Sequence, residues 1–241
     1  MTDYMDLHTH TLASGHAYST ISEMIAEAAK KGLSMLGITE HAPKMPGSCG
    51  NLYFTNFHVL PRERCGVTTL FGVELNIMDY DGTVDLPPQL LCEMDVVIAS
   101  LHTPCIHPGT REENTRAYIK AMENPYLNII GHPDDKRYPV EYRPLVEAAK
   151  EHGVLLEVNN SSLKPESFRG DPRERYREML ELCREYRQPI VVDSDAHLDL
   201  AVGDHAYAWE LLEEVDFPKE LIVNTSPELV KPYLNYYKNQ G

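Results

Sequence analysis

Seven of the eleven histidines in this 241-residue chain stand at, or within eight residues after, the end of a short apolar run. They are His8, His10, His16, His41, His102, His132 and His197, and Glu74 and Asp195 occupy equivalent places. Imidazole and carboxylate together suit a divalent metal, with Zn²⁺ the first expectation and Mn²⁺ or Fe²⁺ equally compatible in ligand type, because no thiolate enters the set. In His8-Thr9-His10, alternation along a strand turns both imidazoles to one face. Glu74, between Val73 and Leu75, would be costly to bury unless a cation or hydrogen-bond donors compensated it. Asp195, close to Asp193, also wants a positive partner. Taken singly, His41, His102 and His132 each read as a hydrogen-bonded loop histidine; their shared position changes that reading. His58, His107, His152 and His205 do not share it and are read as structural or surface residues.

The elements that must position these groups follow from the spacing. Counted at His8, His41, Glu74, His102, His132, Asn160, Asp195 and Asn224, the run ends are separated by 28 to 35 residues. One strand, one loop and one helix fill that length, so a repeating β/α unit is expected, with all strand C-termini on the face where barrel enzymes place their chemistry. The strands are expected at residues 4–8, 35–39, 67–73, 95–100, 127–131, 154–158 and 189–193, with an eighth run at 221–223. Helices are expected at about 21–31, capped by Thr20 or Ser22, and at 111–123, 142–152, 172–187, 203–214 and 226–237. Residues 42–62, with three prolines, read as an excursion over the pocket mouth, and residues 76–84 as a hairpin turning at Asp81-Gly82.

Composition restricts the function classes. A single barrel-sized domain spanning residues 1–241 is expected, because no Pro/Gly/Ser-rich linker divides the chain. The net charge of −15 opposes a polyanion partner, so no nucleic acid is expected, while a small phosphorylated substrate remains compatible. Residues 1–16 carry charge where a signal peptide would be apolar, and no run approaches the roughly eighteen apolar residues that span a bilayer. A cytoplasmic protein without membrane contact is expected. Five cysteines, with no Cys-x-x-Cys pair, argue against a disulfide framework or a zinc ribbon. Cys105 is read as an ordinary thiol near the pocket.

Asp6-Leu7-His8-Thr9-His10-Thr11, Ser14-Gly15-His16-Ala17-Tyr18-Ser19-Thr20 and Ile38-Thr39-Glu40-His41 resemble the PHP (polymerase and histidinol phosphatase) superfamily, and most closely its YcdX-like phosphatase branch. Further matching segments are Gly72 to Ile77, Leu101-His102, Gly131-His132-Pro133, Glu157 to Ser162 and Ser194 to His197. The resemblance runs from Tyr4 to about Pro227. It implies a distorted (β/α)₇ TIM-like barrel of α/β class with three divalent metals at the strand C-terminal ends. By resemblance, His8, His10, Glu74 and Asp195 hold one metal, His16, His41 and His197 a second, and Glu74, His102 and His132 a third. Glu74 and Asp195 would then stand at the catalytic centre, and a homotrimer is implied. Glu40 departs from the Asp common in relatives, outside the ligand set, and the eighth strand-like run exceeds the family's seven.

Three divalent ions would bring about +6 to the pocket and the two carboxylates about −2, a field suited to a phosphate dianion. Metal-bound water loses its proton near neutral pH and supplies a nucleophile without Ser or Cys. Phosphomonoester hydrolysis is therefore expected. Candidate phosphate anchors are Lys44, Arg111, Lys136, Arg137, Lys164 and Arg169, and candidate acceptors behind the ligand histidines are Asp134 and Asn160. Histidinol-phosphate hydrolysis is the nearest alternative. A polymerase-associated nuclease would need a basic track that the chain lacks, amide or lactone hydrolysis needs no dianion site, and a non-catalytic metal-binding PHP domain would be missing ligands.

Overall fold

A computed structural model describes residues 3–238. Eight strands form one sheet: β1 (Met5–Asp6), β2 (Met35–His41), β3 (Glu63–Arg64), β4 (Val67–Asn76), β5 (Val97–Ser100), β6 (Ile129–Ile130), β7 (Leu155–Asn159) and β8 (Ile190–Asp193). Seven of them run parallel in the order β1-β2-β4-β5-β6-β7-β8. The short β3 adds antiparallel to β4. The α-helices are α1 (Ile21–Lys30), α2 (Asn51–Thr55), α3 (Pro88–Leu91), α4 (Arg111–Met122), α5 (Tyr142–His152), α6 (Arg173–Tyr186), α7 (Ala206–Glu214), α8 (Pro227–Val230) and α9 (Asn235–Lys238). This is the expected distorted (β/α)₇ barrel. Among the described residues no helix is long and apolar enough to cross a membrane, and all five cysteines are free.

Local chemistry sets the boundaries. Thr20 rather than Ser22 caps α1: its side chain accepts from Glu23 N while the Glu23 carboxylate accepts from Thr20 N. Thr110 and Glu113 repeat this device at α4. Gly153 ends α5 in the left-handed region at φ 66°. Two apolar layers result. Met5, Leu7, Met35, Leu70, Ile98, Ile129, Leu155 and Val191 fill the barrel interior, plugged from below by Val230 and Leu234. The alternate residues Leu36, Ile38, Phe71, Val73 and Leu156 pack outward against the helices.

Three expectations are corrected. Residues 221–223 are not a strand but two short 3₁₀ turns, with one bridge from Ile190 to Ile222. There Asn224 substitutes for a strand. Its Oδ1 accepts from Val192 N at 2.8 Å, and its Nδ2 donates to Val192 O at 2.7 Å and to Met5 O at 3.1 Å. One side-chain amide thus supplies the donor and acceptor that a backbone would have offered between β8 and β1. Residues 76–84 hold a turn with a single Ile77–Val84 bridge instead of a paired hairpin, because Asp79 Oδ1 takes the N–H groups of Asp81 and Thr83 at 3.0 Å each. The C-terminal helix is split into α8 and α9, since Pro232 between them cannot continue an α-helical ladder.

Higher up, the β8–β1 seam is also closed by side chains. Leu7 N donates to Asp193 Oδ1 at 2.6 Å, Ser194 N donates to Asp6 Oδ1 at 3.1 Å, and His10 N reaches Ala196 O at 2.8 Å. His205 anchors the same seam. Its Nδ1 lies 2.5 Å from Asp3 Oδ2 and its Nε2 3.6 Å from Asp6 Oδ1. Burial lowers the His205 pKa, but the hydrogen bonds and charges of Asp3 and Asp6 outweigh it and raise the pKa to about 10.

Asn224→Ala should leave those strand groups unpaired and cost about 3 kcal/mol, read as a fall of about 6–12 °C in Tm for a chain of this size. His205 contributes stability in full below its unfolded pKa near 6.5 and loses that contribution as pH rises through about 10. His205→Gln should therefore destabilise the protein at pH 6, with the deficit shrinking towards zero above pH 10 in parallel urea titrations.

Candidate metal centre

Period-2 alternation along β4 carries the interior face from Leu70 through Gly72 to Glu74, one layer above the apolar plug. The β2–β4 register sets His41 directly opposite Glu74. The Glu74 carboxylate is fully buried and faces five imidazoles. Oε1 lies 3.0 Å from His132 Nε2, 3.1 Å from His102 Nε2 and 3.4 Å from His8 Nε2. Oε2 lies 2.6 Å from His41 Nδ1 and 3.6 Å from His10 Nε2. Asp195 Oδ1 sits 3.4 Å from His10 Nε2, 3.8 Å from His8 Nε2 and 3.6 Å from His197 Nδ1. His16 joins from the loop after β1, its Nε2 3.0 Å from His197 Nε2. All nine side chains expected from the sequence converge in one place.

Two of them reach it through unusual backbone. His132 has φ 31° and Asp195 φ 54°, both in the left-handed region; an aspartate tolerates it, whereas a histidine there is uncommon. Each stands two residues past the end of its strand, Ile130 in β6 and Asp193 in β8, and its side chain enters the barrel mouth. Such strain persists where surrounding contacts over-determine it.

The donor set fits divalent cations. His8 Nε2, His10 Nε2, His41 Nδ1 and Glu74 Oε2 are buried and have no hydrogen-bond partner. Orphaned buried polar atoms are costly, and four that converge on one point call for a shared counterpart. Three overlapping groups have ligand atoms within 4.8 Å of one another: His10, His41 and His197; His8, His10 and Glu74; His41, Glu74 and His102. In the first group His10 stands with His41 and His197, a different partition from the one the resemblance implies.

The protonation pattern agrees. Burial pushes the Glu74 carboxyl up, but the imidazoles of His102, His8 and His41 outweigh it and hold it well below the usual range. Asp195 behaves alike, burial being overcome by His8 and Arg169. Burial, then His41 and His197, depress His10 far below its ordinary value; burial lowers His102 and His16 as well. Ionised Glu74 and Asp195 together with imidazoles whose neutral form is favoured, as at His10, His16 and His102, are what a metal requires. His8 goes the other way: burial lowers it, and Glu157, Glu74 and Asp195 raise it well above normal.

Behind the ligand atoms stands a layer that fixes tautomers. Ser14 Oγ donates to Glu40 Oε2 at 2.6 Å and accepts from His41 N at 3.0 Å, so at 3.1 Å it accepts Nδ1–H from His10 and leaves His10 Nε2 bare. Asn76 Nδ2 is committed to Asp85 Oδ2 at 2.7 Å, so its Oδ1 takes Nδ1–H from His102 at 2.7 Å. Glu157 Oε1 lies 2.6 Å from His8 Nδ1, while its Oε2 accepts from His132 N at 2.5 Å. Asp134 and Asn160, expected in this role, instead take the Tyr176 hydroxyl at 2.6 Å and Ala208 N at 3.0 Å. The reason is phase: Glu157 and Asn159 follow Leu155 on the interior face of β7, whereas Asn160 leads into the following 3₁₀ turn. Ser14, Glu40, Asn76 and Glu157 are polar residues inside or just after buried runs, the one sequence signal that marked them. Of six candidate phosphate anchors, Arg137, Lys164 and Arg169 line the cavity, and Lys44, Arg111 and Lys136 do not.

Comparison with known proteins now decides the family. The sequence profile of the PHP domain matches residues 6–217. The chain belongs to the PHP domain family. It is 46% identical over 237 residues to a probable phosphatase of Clostridium novyi, covering 98% of this chain and 95% of that protein. It is 47% identical over 238 residues to a probable phosphatase of Caldanaerobacter subterraneus, covering 95% and 90%. Among solved structures, histidinol phosphate phosphatase from Lactococcus lactis, complexed with zinc, L-histidinol and phosphate, aligns with TM-score 0.58 at 18% identity, covering 90% of this chain and 95% of that one. A putative histidinol phosphatase from Listeria monocytogenes aligns with TM-score 0.61 at 16% identity, covering 85% and 99%. At these identities the structural likeness concerns the PHP fold.

In this PHP domain, Glu157→Gln would point an amide at either His132 N–H or His8 Nδ1. The first opposes two donors, and the second moves the His8 proton onto Nε2. Metal affinity measured by equilibrium dialysis should fall by about 10–100-fold, with the fold retained by circular dichroism.

Proposed function

We propose that this chain is a metal-dependent phosphatase that hydrolyses small phosphate monoesters at a trinuclear centre. The observation that carries the proposal is the ring of unpartnered imidazole nitrogens around one buried, ionised Glu74. Its curated relatives are named probable phosphatases. His8, His10, His16, His41, Glu74, His102, His132, Asp195 and His197 are the proposed ligands of three divalent ions, zinc first, with manganese or iron as alternatives. The overlapping groups among His8, His10, His41, Glu74, His102 and His197 support cation binding; the number of ions is carried over from the family resemblance. When bound, such ions polarise the phosphoryl oxygens and lower the pKa of water to supply the nucleophile.

The protein's own residues do the rest. Glu74 faces ligand atoms on both of its oxygens and is the proposed bridge. Arg169 is buried: its Nη2 holds Asp195 Oδ2 at 3.0 Å, its Nη1 donates to Ser162 Oγ at 3.3 Å, and its Nε has no protein partner. Burial would lower the Arg169 pKa, but Asp195 and Asp134 outweigh it, so the guanidinium stays charged. Arg169 therefore both orients Asp195 and offers a fixed cation to the phosphate. The active unit is proposed to be the whole chain, residues 1–241, as one PHP barrel in the cytoplasm, acting on a small molecule rather than a nucleic acid, and as a trimer.

Protein purified without chelator should hydrolyse p-nitrophenyl phosphate and lose that activity on EDTA treatment, with recovery on adding Zn²⁺ or Mn²⁺. Full activity of metal-free protein, verified by elemental analysis, would sink the proposal. Glu74→Gln should reduce kcat by at least about 10³-fold while binding fewer ions per chain.

A further inference from the structure

The cavity above the metal centre encloses about 800 Å³, far more than a phosphate group fills. Its floor is the imidazole cluster, and its upper wall is apolar, with Tyr18, Phe168, Met45 and Leu198 among the lining residues. Two of these are aromatic rings left largely in solvent: Tyr18 is 76% and Phe168 69% exposed. Phe54, Phe57 and Phe71, by contrast, are buried. An exposed ring costs hydration free energy unless a ligand covers it. Phe168 is also held in place, with Arg137 Cζ 4.9 Å and Arg169 Cζ 5.1 Å from its ring centroid. The second of these guanidiniums is the one bound to Asp195, so the aromatic shelf is tied directly to the metal centre.

The charges at the rim restrict what the shelf receives. Arg137 is committed to Asp135, with Nε 2.9 Å from Oδ1 and 3.0 Å from Oδ2. Lys164 Nζ is 2.9 Å from Asp204 Oδ2. Each rim cation already has a carboxylate partner, which lowers its attraction for a second anionic group, and the chain carries a net charge of −15.

Building on the phosphatase reading above, we infer that the substrate's leaving group is planar, aromatic and uncharged, and that it stacks on Phe168 and Tyr18 while the phosphate sits at the metals. The preferred substrates are thus aromatic phosphate monoesters with one anionic group, rather than polyol phosphates or esters with a second acid. Phe168 is the specificity-determining residue.

The test compares kcat/KM of the metal-loaded enzyme on four esters of primary alcohols: benzyl, cyclohexylmethyl, 4-carboxybenzyl and glycerol 1-phosphate. Benzyl phosphate should exceed cyclohexylmethyl phosphate, which has equal carbon count but no planar face, by about 3–10-fold. It should exceed glycerol 1-phosphate by at least about 10-fold, and 4-carboxybenzyl phosphate should be the poorer of the two aromatic esters. Within each variant the benzyl-to-cyclohexylmethyl ratio should fall towards one in Phe168→Ala and persist in Phe168→Trp. Should Phe168→Ala not fold, wild-type inhibition decides: benzylphosphonate should inhibit more tightly than cyclohexylmethylphosphonate. Equal turnover of benzyl, cyclohexylmethyl and glycerol esters, a ratio unchanged in Phe168→Ala, or a preference for the carboxylated ester would overturn the inference while leaving the phosphatase assignment intact. Hydrolysis of none of the four would overturn both.

Discussion

A single buried carboxylate governs the upper half of this molecule. Glu74 has no access to solvent and meets five imidazoles within 3.6 Å. An isolated carboxylate at that depth would be neutralised by protonation. Here the surrounding histidines keep it ionised, and its negative charge in turn makes the site hospitable to cations. The residues that meet it come from the end of β2 and from the segments that follow β1, β5 and β6, so the barrel's top exists as a site only when several strands are in register together.

The imidazoles are not free to turn. Ser14 with Glu40, Asn76 with Asp85, and Glu157 each settle which nitrogen of a neighbouring ring carries the proton. Most of these supports are themselves buried, so each is held by a second contact rather than by solvent. The placement of the converging imidazole and carboxylate atoms therefore depends on a polar layer behind them, with Asp195 and His132 held in left-handed backbone as part of the same arrangement.

Closure of the barrel is achieved differently from its other six strand pairings. Between β8 and β1 the backbone ladder gives way to side chains, with Asp193 and Asp6 above and Asn224 below. Because Asp195 and His197 follow β8 while His8 and His10 follow β1, this seam is where the two ends of the metal centre meet.

The sequence by itself determined the β/α repeat, the shared rim and which nine His, Glu and Asp side chains gather there, because hydrophobic runs of fixed period that end in such residues carry that information locally. Helix limits followed from capping residues such as Thr20, Thr110 and Gly153. What only the tertiary structure decided were the partners of those ligands. Glu157 and Asn76 look like ordinary polar strand residues until the barrel curls them behind His8 and His102, and Asp134 and Asn160 look equally suited until the turns that carry them direct them to Tyr176 and Ala208. The apparent eighth strand failed for the same reason: Leu221 to Val223 has the composition of a strand, but the slot beside β8 is filled by the Asn224 amide. Local pattern fixes which face a residue occupies; which atoms it meets across that face depends on register and closure, and these are properties of the assembled sheet.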